Sequence, residues 1–413
     1  MSTASSPSGP NAASTAPLTA PGAPSPAVPS PTSSRYQYWA ALLCLTIVSV
    51  GFGAIAPSLS TILTELAVTA SVGSLLVSAL GAGRLLGGFP AGMVVSRIGP
   101  GRVVLLGCAV FTVGSVVAWL APVFSVLALG RLMQGIGLGI VPAGVLAGIM
   151  AGARAERAGG SMALYQSALT LGGAIGPAVG GPLAERYDWH ASLLFCVVAG
   201  LFAIGLAVPL AMRPSRLSTA PARPRERLGW SAAYAVTLVL MPHLATFLFR
   251  MSVSQLALPL YASGPAGLEA SAVGLMLGTQ AMMTLVMLGP AGWATNRFGV
   301  RPVTVGALLV TSLSVAAMPL VPTPYGLWIA VVVYGAGMAV MGVAAGLFIF
   351  TLVGYSTGAL VGIYRLSGDL MQVFGPAAIG PVIDGFGYET SFTIMAALGL
   401  LALATLALRP GTR

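Results

Sequence analysis

The chain has 413 residues, of which 56% are hydrophobic and 7% charged. A soluble globule carries about 25% charged residues, so most of this surface is not made for water. All 19 basic residues are Arg, and the formal charge of +10 resembles a nucleic-acid signal only until it is mapped along the chain.

Residues 1–37 are dominated by Ser, Thr, Ala, Pro and Gly. Such a tail cannot bury a core and is expected to be disordered. Tyr36, Tyr38 and Trp39 form an aromatic cluster suited to a membrane interface. Apolar runs near 20 residues then recur, each long enough to cross a bilayer. Spans are expected near 38–58, 71–95, 103–121, 124–149, 161–183 and 191–211. After a soluble, Arg- and Pro-rich linker over 212–231, six more are expected near 236–260, 271–291, 303–321, 326–350, 359–382 and 390–408. The expectation is an all-α membrane protein of twelve transmembrane helices, with a first bundle over 38–211 and a second over 232–413.

The halves are related. Pro90, Ala91, Gly92, Arg97, Gly99 and Val103 recur as Pro290, Ala291, Gly292, Arg297, Gly299 and Val303. A duplicated half in so apolar a chain points to a membrane transporter built from repeats.

Charge predicts orientation. Arg35, Arg97, Arg102, Arg154, Arg157, Arg213, Arg216, Arg223, Arg225, Arg227, Arg297, Arg301, Arg409 and Arg413 fall on one side of this topology. The other side has Arg186 with Glu65, Glu185, Asp188, Glu269, Asp384 and Glu389. Positive charge stays cytoplasmic, so both termini and the linker are expected there.

Polar residues inside the spans mark a path. Arg84, Arg131, Gln134, Gln166, Arg250, Gln255, Gln280, Arg365, Asp369 and Gln372 fall in spans 2, 4, 5, 7, 8 and 11, whereas spans 3, 6, 9 and 12 carry no charge, amide or His. Polar groups in hydrocarbon turn toward a bundle interior or a wet cavity, so every third helix is expected to face lipid. These residues, with Tyr334, are the candidates for a substrate cavity. Asp369 is the only carboxylate placed inside a span, with Arg365 one turn earlier on the same face. A proton site and a buried ion pair are both open readings of it, because burial raises a carboxyl pKa and a close Arg lowers it. Four in-membrane arginines against one acid also leave anion binding open.

Cys44, Cys108 and Cys196 lie in apolar runs and read as small buried residues. No metal-ligand spacing, phosphate-binding loop or nucleophile motif is present, so neither a metal, a cofactor nor an enzymatic activity is expected, and active transport would draw on a gradient.

Three motifs carry a family resemblance. Gly92-Met-Val-Val-Ser-Arg-Ile-Gly-Pro-Gly-Arg102 resembles the loop between helices 2 and 3 of the major facilitator superfamily, through Gly92, Arg97, Gly99 and Arg102. Its second copy holds Gly292, Arg297 and Gly299; the acid of the family's motif is replaced by Ser96 and Asn296. Leu127–Gly137 resembles the family's helix-4 motif, with Arg131 and Gly135 at the defining positions and Tyr334 opposite Gln134 in the second half. Gly172–Gly181 resembles the helix-5 motif of drug:proton antiporters, including Gly176, Pro177, Gly180 and Gly181.

The resemblance implies the major facilitator fold, two pseudo-symmetric six-helix bundles rocking about a central site. It implies gating roles for the loop and helix-5 motifs, and proton transfer or substrate contact for Arg131. The missing acid puts a charge-based cytoplasmic latch in question. The expected function is proton-coupled efflux of an amphipathic drug-like compound or natural product across a bacterial inner membrane. The alternatives are uptake or exchange of an organic anion, and a transporter-like sensor or lipid-handling protein without net flux. The expected partners are a small-molecule substrate, protons and the lipid bilayer, with no nucleic acid, the protein acting as a monomer.

Overall fold

In hydrocarbon the backbone must satisfy its own N–H and C=O groups, which leaves helices as the form for these apolar runs. The computed structural model describes residues 31–152, 158–212, 240–321, 323–353 and 358–407, with side chains placed over 36–150, 160–212, 240–321, 323–344 and 366–405. Most of the expected tail, the linker past Met212, the side chains of Arg35 and Arg365, and Arg154, Arg157, Arg409 and Arg413 lie outside these residues.

Helix α1 (Pro31–Gly53) begins inside the stretch expected as tail and runs through a 3-10 turn, Ala56–Ser58, into α2 (Leu59–Glu65). Next come α3 (Ala70–Ile98), α4 (Pro100–Trp119), α5 (Phe124–Gly152), α6 (Ala158–Arg186) and α7 (Trp189–Ala211). The second half opens with α8 over 240–263, whose middle, Phe249–Ala257, is π-helical. It continues with α9 (Ala270–Phe298), α10 (Val300–Ala317), α11 (Pro324–Val353) and α12 (Gly358–Ala407). Gly387 (φ 81, ψ 175) breaks α12 into two arms. Nine helices among the described residues are long and apolar enough to cross a membrane.

The sequence repeat is also a structural repeat. Helices α3 and α9 each have 29 residues. They end on Gly99 (φ 87, ψ 157) and Gly299 (φ 90, ψ 156), whose N–H groups donate to Val95 O and Thr295 O, each at 3.0 Å. The left-handed φ is one a side chain resists, which accounts for glycine in both copies of the motif.

Within the first half, α5 packs on α3 and α4, α6 on α1, and α7 on α4 and α1. In the second, α11 packs on α9 and α10, and α12 on α10 and α8. The halves meet along two seams, α3 with α12 and α6 with α9. Exposed apolar side chains lie on α4 (Leu106, Val113), α7 (Val198, Leu201, Phe202), α10 (Leu309, Leu313) and the second arm of α12 (Leu398, Leu401), and also on α3 (Leu86, Phe89), α9 (Val286) and α11 (Ile329), so exposure does not single out every third helix.

We call the end bearing Glu65, Glu185, Asp188, Glu269, Asp384 and Glu389 the acidic end, and the end bearing Arg97, Arg102, Arg297 and Arg301 the arginine end. Glycines that touch the opposite half do so in the acidic-end part of their helices: Gly81 on Gln372, Gly181 on Ala270, Gly380 on Ser74. Toward the arginine end, a Cβ built on Gly92, Gly289 or Gly292 would meet nothing within 4 Å. One buried apolar cluster joins the second half to Ile55, Leu59, Ile62 and Leu76 of the first, whereas the cluster centred on Leu45, Phe111 and Val141 belongs almost wholly to the first. Among the described residues, the halves close on each other at the acidic end and part toward the arginine end.

Candidate functional site

Three side chains from three helices converge where the halves face each other. The Arg84 guanidinium of α3 lies over the Phe52 ring of α1, with Cζ 5.7 Å from the centroid. Arg250, from the π-helical stretch of α8, lies over the same ring at 5.9 Å. Phe52 is buried and both arginines are half-buried.

The π-helical stretch is braced from within its own half. A π-helix shifts the hydrogen-bond register and is found mostly at functional sites. Here Tyr334 of α11, fully buried, donates its hydroxyl to Phe249 O at 2.9 Å and lies 3.0 Å from Ser254 Oγ. Ser252 and Ser254 are buried and Gln255 is half-buried in the same stretch.

Asp369 stands on α12, half-buried, and its Oδ1 accepts from Gln372 Nε2 at 2.9 Å. The expected neighbour was Arg365, whose side chain lies outside the described residues. A Cβ on Gly368 would sit 2.9 Å from Nε2 of the buried His243, so this histidine of α8 packs on α12 at Gly368. Nothing in the sequence connected His243 to Gly368, because they lie on separate helices.

Arg131 and Gln134 do not reach an open cavity in this conformation. Both are buried inside the first half, where Arg131 Nη1 donates to Gln134 Oε1 at 2.8 Å and Gln134 Nε2 to Ser115 Oγ at 2.9 Å. Ser115 in turn donates to Phe111 O, so α4 and α5 are cross-linked by a polar chain. Tyr334 and Gln372 are likewise buried. Gln166 is exposed on α6, and Gln280 is half-buried on α9 with its carbonyl against Gly335. Of the candidates, Arg84 and Arg250 meet over Phe52 at the seam, Arg131 and Gln134 form a network inside the first half, Tyr334 braces Phe249 and Ser254 inside the second, and Asp369 pairs with Gln372 on α12.

The helix-5 glycines pack backbone on backbone. A Cβ on Gly176 would lie 2.2 Å from Val50 O, one on Gly180 2.1 Å from Ala54 O, and one on Gly181 2.4 Å from Ala270 O across the half boundary. Pro177 packs against Gly53 and Gly274. At the arginine end, Arg97, Arg102 and Arg297 are exposed. Ser96, in place of the family's acid, turns its hydroxyl onto Met93 O of its own helix at 2.7 Å and so does not cap the other half.

Sequence reasoning missed two carboxylates at the acidic end. Asp384 of α12 caps α3: Oδ1 accepts from Ala70 N at 3.0 Å, and Oδ2 from Ser71 N at 2.8 Å and from the Ser71 hydroxyl. Glu185 of α6 caps α9, its Oε2 accepting from Ser271 N at 2.9 Å. Each cap crosses between the halves, and a carboxylate at a helix N-terminus is favoured by the orphan N–H groups there. Ser71 and Ser271 are equivalent positions of the repeat, so the caps form a matched pair. The clue lay in an acid at the end of the helix that the Gly172–Gly181 motif had singled out, Glu185 after Gly181. The Ser271 hydroxyl and backbone N–H hold the Glu185 carboxyl below the ordinary carboxylate range.

Two repeat-related halves around a polar seam match what the comparisons give. The sequence matches the Major Facilitator Superfamily over residues 41–261 and 243–413, and the chain belongs to that superfamily. It is a multi-pass protein of a bacterial inner membrane, of a transporter family and not an enzyme. The chain is similar to the uncharacterized MFS-type transporter YhcA of Bacillus subtilis, 23% identical over 53% of this chain and 51% of that one. It is 33% identical to a multidrug resistance protein B homolog of Mycobacterium tuberculosis, over 40% of this chain and 28% of the relative. The chain thus spans about half the length, or less, of these curated relatives. Among solved structures, a bacterial homolog of the human lysosomal transporter Spinster, inward-facing and occupied, superposes with a TM-score of 0.76 over 91% of this chain and 96% of that one, at 17% identity.

Proposed function

We propose that the protein is a proton-coupled secondary transporter that exports an amphipathic drug-like compound or natural product by alternating access. In this reading the chain crosses the membrane twelve times, with α1–α2 as the first crossing, α8 as the seventh and the two arms of α12 as the last pair. Its termini and arginine end are cytoplasmic. The observation that carries the reading is the polar seam between repeat-related halves that meet at one end and part at the other. Export is supported by the helix-5 motif at Gly172–Gly181 and by the likeness to the multidrug resistance protein B homolog. A second reading, uptake or exchange of an organic anion, is favoured by the convergence of Arg84 and Arg250 on Phe52.

The experiment is flux in proteoliposomes, with and without a pH gradient, over a panel of cationic, neutral and anionic amphiphiles. The expected result is accumulation of at least one compound that collapses with the gradient. Binding without counterflow of any compound would mark a sensor and overturn the transport reading.

A further inference from the structure

Tyr334 of α11 holds both ends of a five-residue step in α8. Its hydroxyl donates to Phe249 O at 2.9 Å and lies 3.0 Å from Ser254 Oγ. A phenol has one proton to give, so Ser254 is the donor in the second bond. In an α-helix, residues five apart stand about 140° apart around the axis. In the π register each carbonyl takes the N–H five residues on, and one residue stands nearly above the other. Leu258 N–H on Val253 O shows that step at the end of the stretch. The paired contacts of Tyr334 thus fit the π register and not the α.

The same step orders the face that α8 turns to the seam. From 248 to 260 every residue is buried except Arg250 and Gln255, which are half-buried and five apart. In the π register these two share one face; in the α register they would diverge by about 140°. Arg250 reaches toward the first half, its Cζ 5.9 Å from the Phe52 centroid, so the shared face is the seam face. The register also carries a cost. The Ser252 hydroxyl is buried there without a hydrogen-bond partner, and an unmade bond in a buried site is expensive.

We infer that Tyr334 is a positioning residue: it pins the π register of α8, and so lines up Arg250 and Gln255 as one ledge for an acceptor oxygen of the ligand. The ledge offers N–H donors from a guanidinium and an amide, which suit a carboxylate or carboxamide oxygen. Losing the pin returns the stretch to the α register and parts the two side chains. This inference rests on the reading that the seam binds the transported compound.

The test uses the purified full chain and has two arms. In the first, single cysteines are placed in turn at 250–253 and 255–257 and reacted with a methanethiosulfonate reagent. Cys44, Cys108 and Cys196 are fully buried and give little background. With Tyr334 in place, fast labelling is expected at 250 and 255. In Tyr334→Phe, which keeps the ring and loses the hydroxyl, labelled positions are expected to fall three or four apart instead. Should that variant fail to fold, Ser254→Ala removes one end of the bridge and decides alone. Labelling that stays at 250 and 255 in the variants would overturn the pin.

The second arm reads the ledge through binding of 2-naphthoate and 2-naphthamide. Arg250→Ala and Gln255→Ala are expected to be coupled, the double variant departing at least about threefold from the product of the single losses. In the Tyr334→Phe or Ser254→Ala background the losses are expected to multiply simply. A simple product with Tyr334 and Ser254 intact, coupling that survives either substitution, or no binding of either probe would overturn the ledge. Counterflow on the same samples separates the two ideas. Coupled binding with no counterflow of any probe sinks the transporter and spares the ledge. Counterflow of 2-naphthylmethylammonium, with neither oxygen probe bound, sinks the ledge and spares the transporter.

Discussion

Asp369 shows both what one residue reveals and where a sequence stops. Its identity as a lone carboxylate inside a span was legible, since an acid in hydrocarbon stands out against apolar neighbours. Its partner was not. Arg365 and Gln372 lie four residues before and three after it, and a helix brings both positions onto one face. The structure gives Gln372 the hydrogen bond, at 2.9 Å. A carboxylate kept inside a span is a functional candidate because of its cost in hydrocarbon. Asp369→Asn is therefore expected to abolish pH-driven accumulation in proteoliposomes while downhill exchange of the same compound persists; full gradient-driven transport by the variant would place the proton site elsewhere, with His243 the first residue to examine. Arg131 sits among partners of its own half. Its place in a family motif suggested a cavity, but Gln134 lies one turn on and binds it inside the first half.

At the scale of the helix, spacing was readable and register was not. Gly172, Gly176 and Gly180 recur at intervals of four, and the structure sets the first two against the backbone of α1 and the third against Ala54 just past its end. Small residues let membrane helices approach closely, which is where packing energy arises without a hydrophobic drive. Gly176→Ala would force α1 and α6 apart, since its Cβ would fall 2.2 Å from Val50 O. The expected cost is about 1–3 kcal/mol, as for overpacking elsewhere. Gly205→Ala on α7 is the control, because a Cβ there meets nothing within 4 Å. Thermal unfolding of the purified protein should show a drop in Tm for the first and none for the second. The π-helical stretch Phe249–Ala257 had no signal in composition. It depends on Tyr334 taking a carbonyl from a different helix, a tertiary fact that local pattern does not contain.

The whole molecule is held by contacts that differ between its ends. The repeat made the two-half plan legible, because Gly99 and Gly299 had to share a conformation for the motif to recur. The caps by Asp384 and Glu185 escaped notice because both acids read as loop charges that merely marked a side of the membrane. Glu185→Gln combined with Asp384→Asn is expected to loosen the acidic end, seen as longer distances between spin labels at positions 187 and 268, with the arginine end moving closer. Unchanged distances would show that apolar packing alone closes that end. Acid should act in the same direction on Glu185. Its carboxyl is held below the ordinary range, so the cap is intact at neutral pH and is lost only as pH falls through that lowered value, beneath the ~4.3 of a free glutamate. At the arginine end Ser96 bonds its own helix, and no such pair of caps stands there among the described residues. That inequality sets what a ligand meets from each face of the membrane. On the proposed transport reading, a ligand entering at the arginine end meets the halves already parted. One entering at the acidic end can bind only the fraction that has released both caps, and its apparent affinity is reduced by that fraction. In vesicles of a single orientation, one compound should therefore titrate as a strong ligand from one face and a weak one from the other, and Asp384→Asn should bring the two curves together.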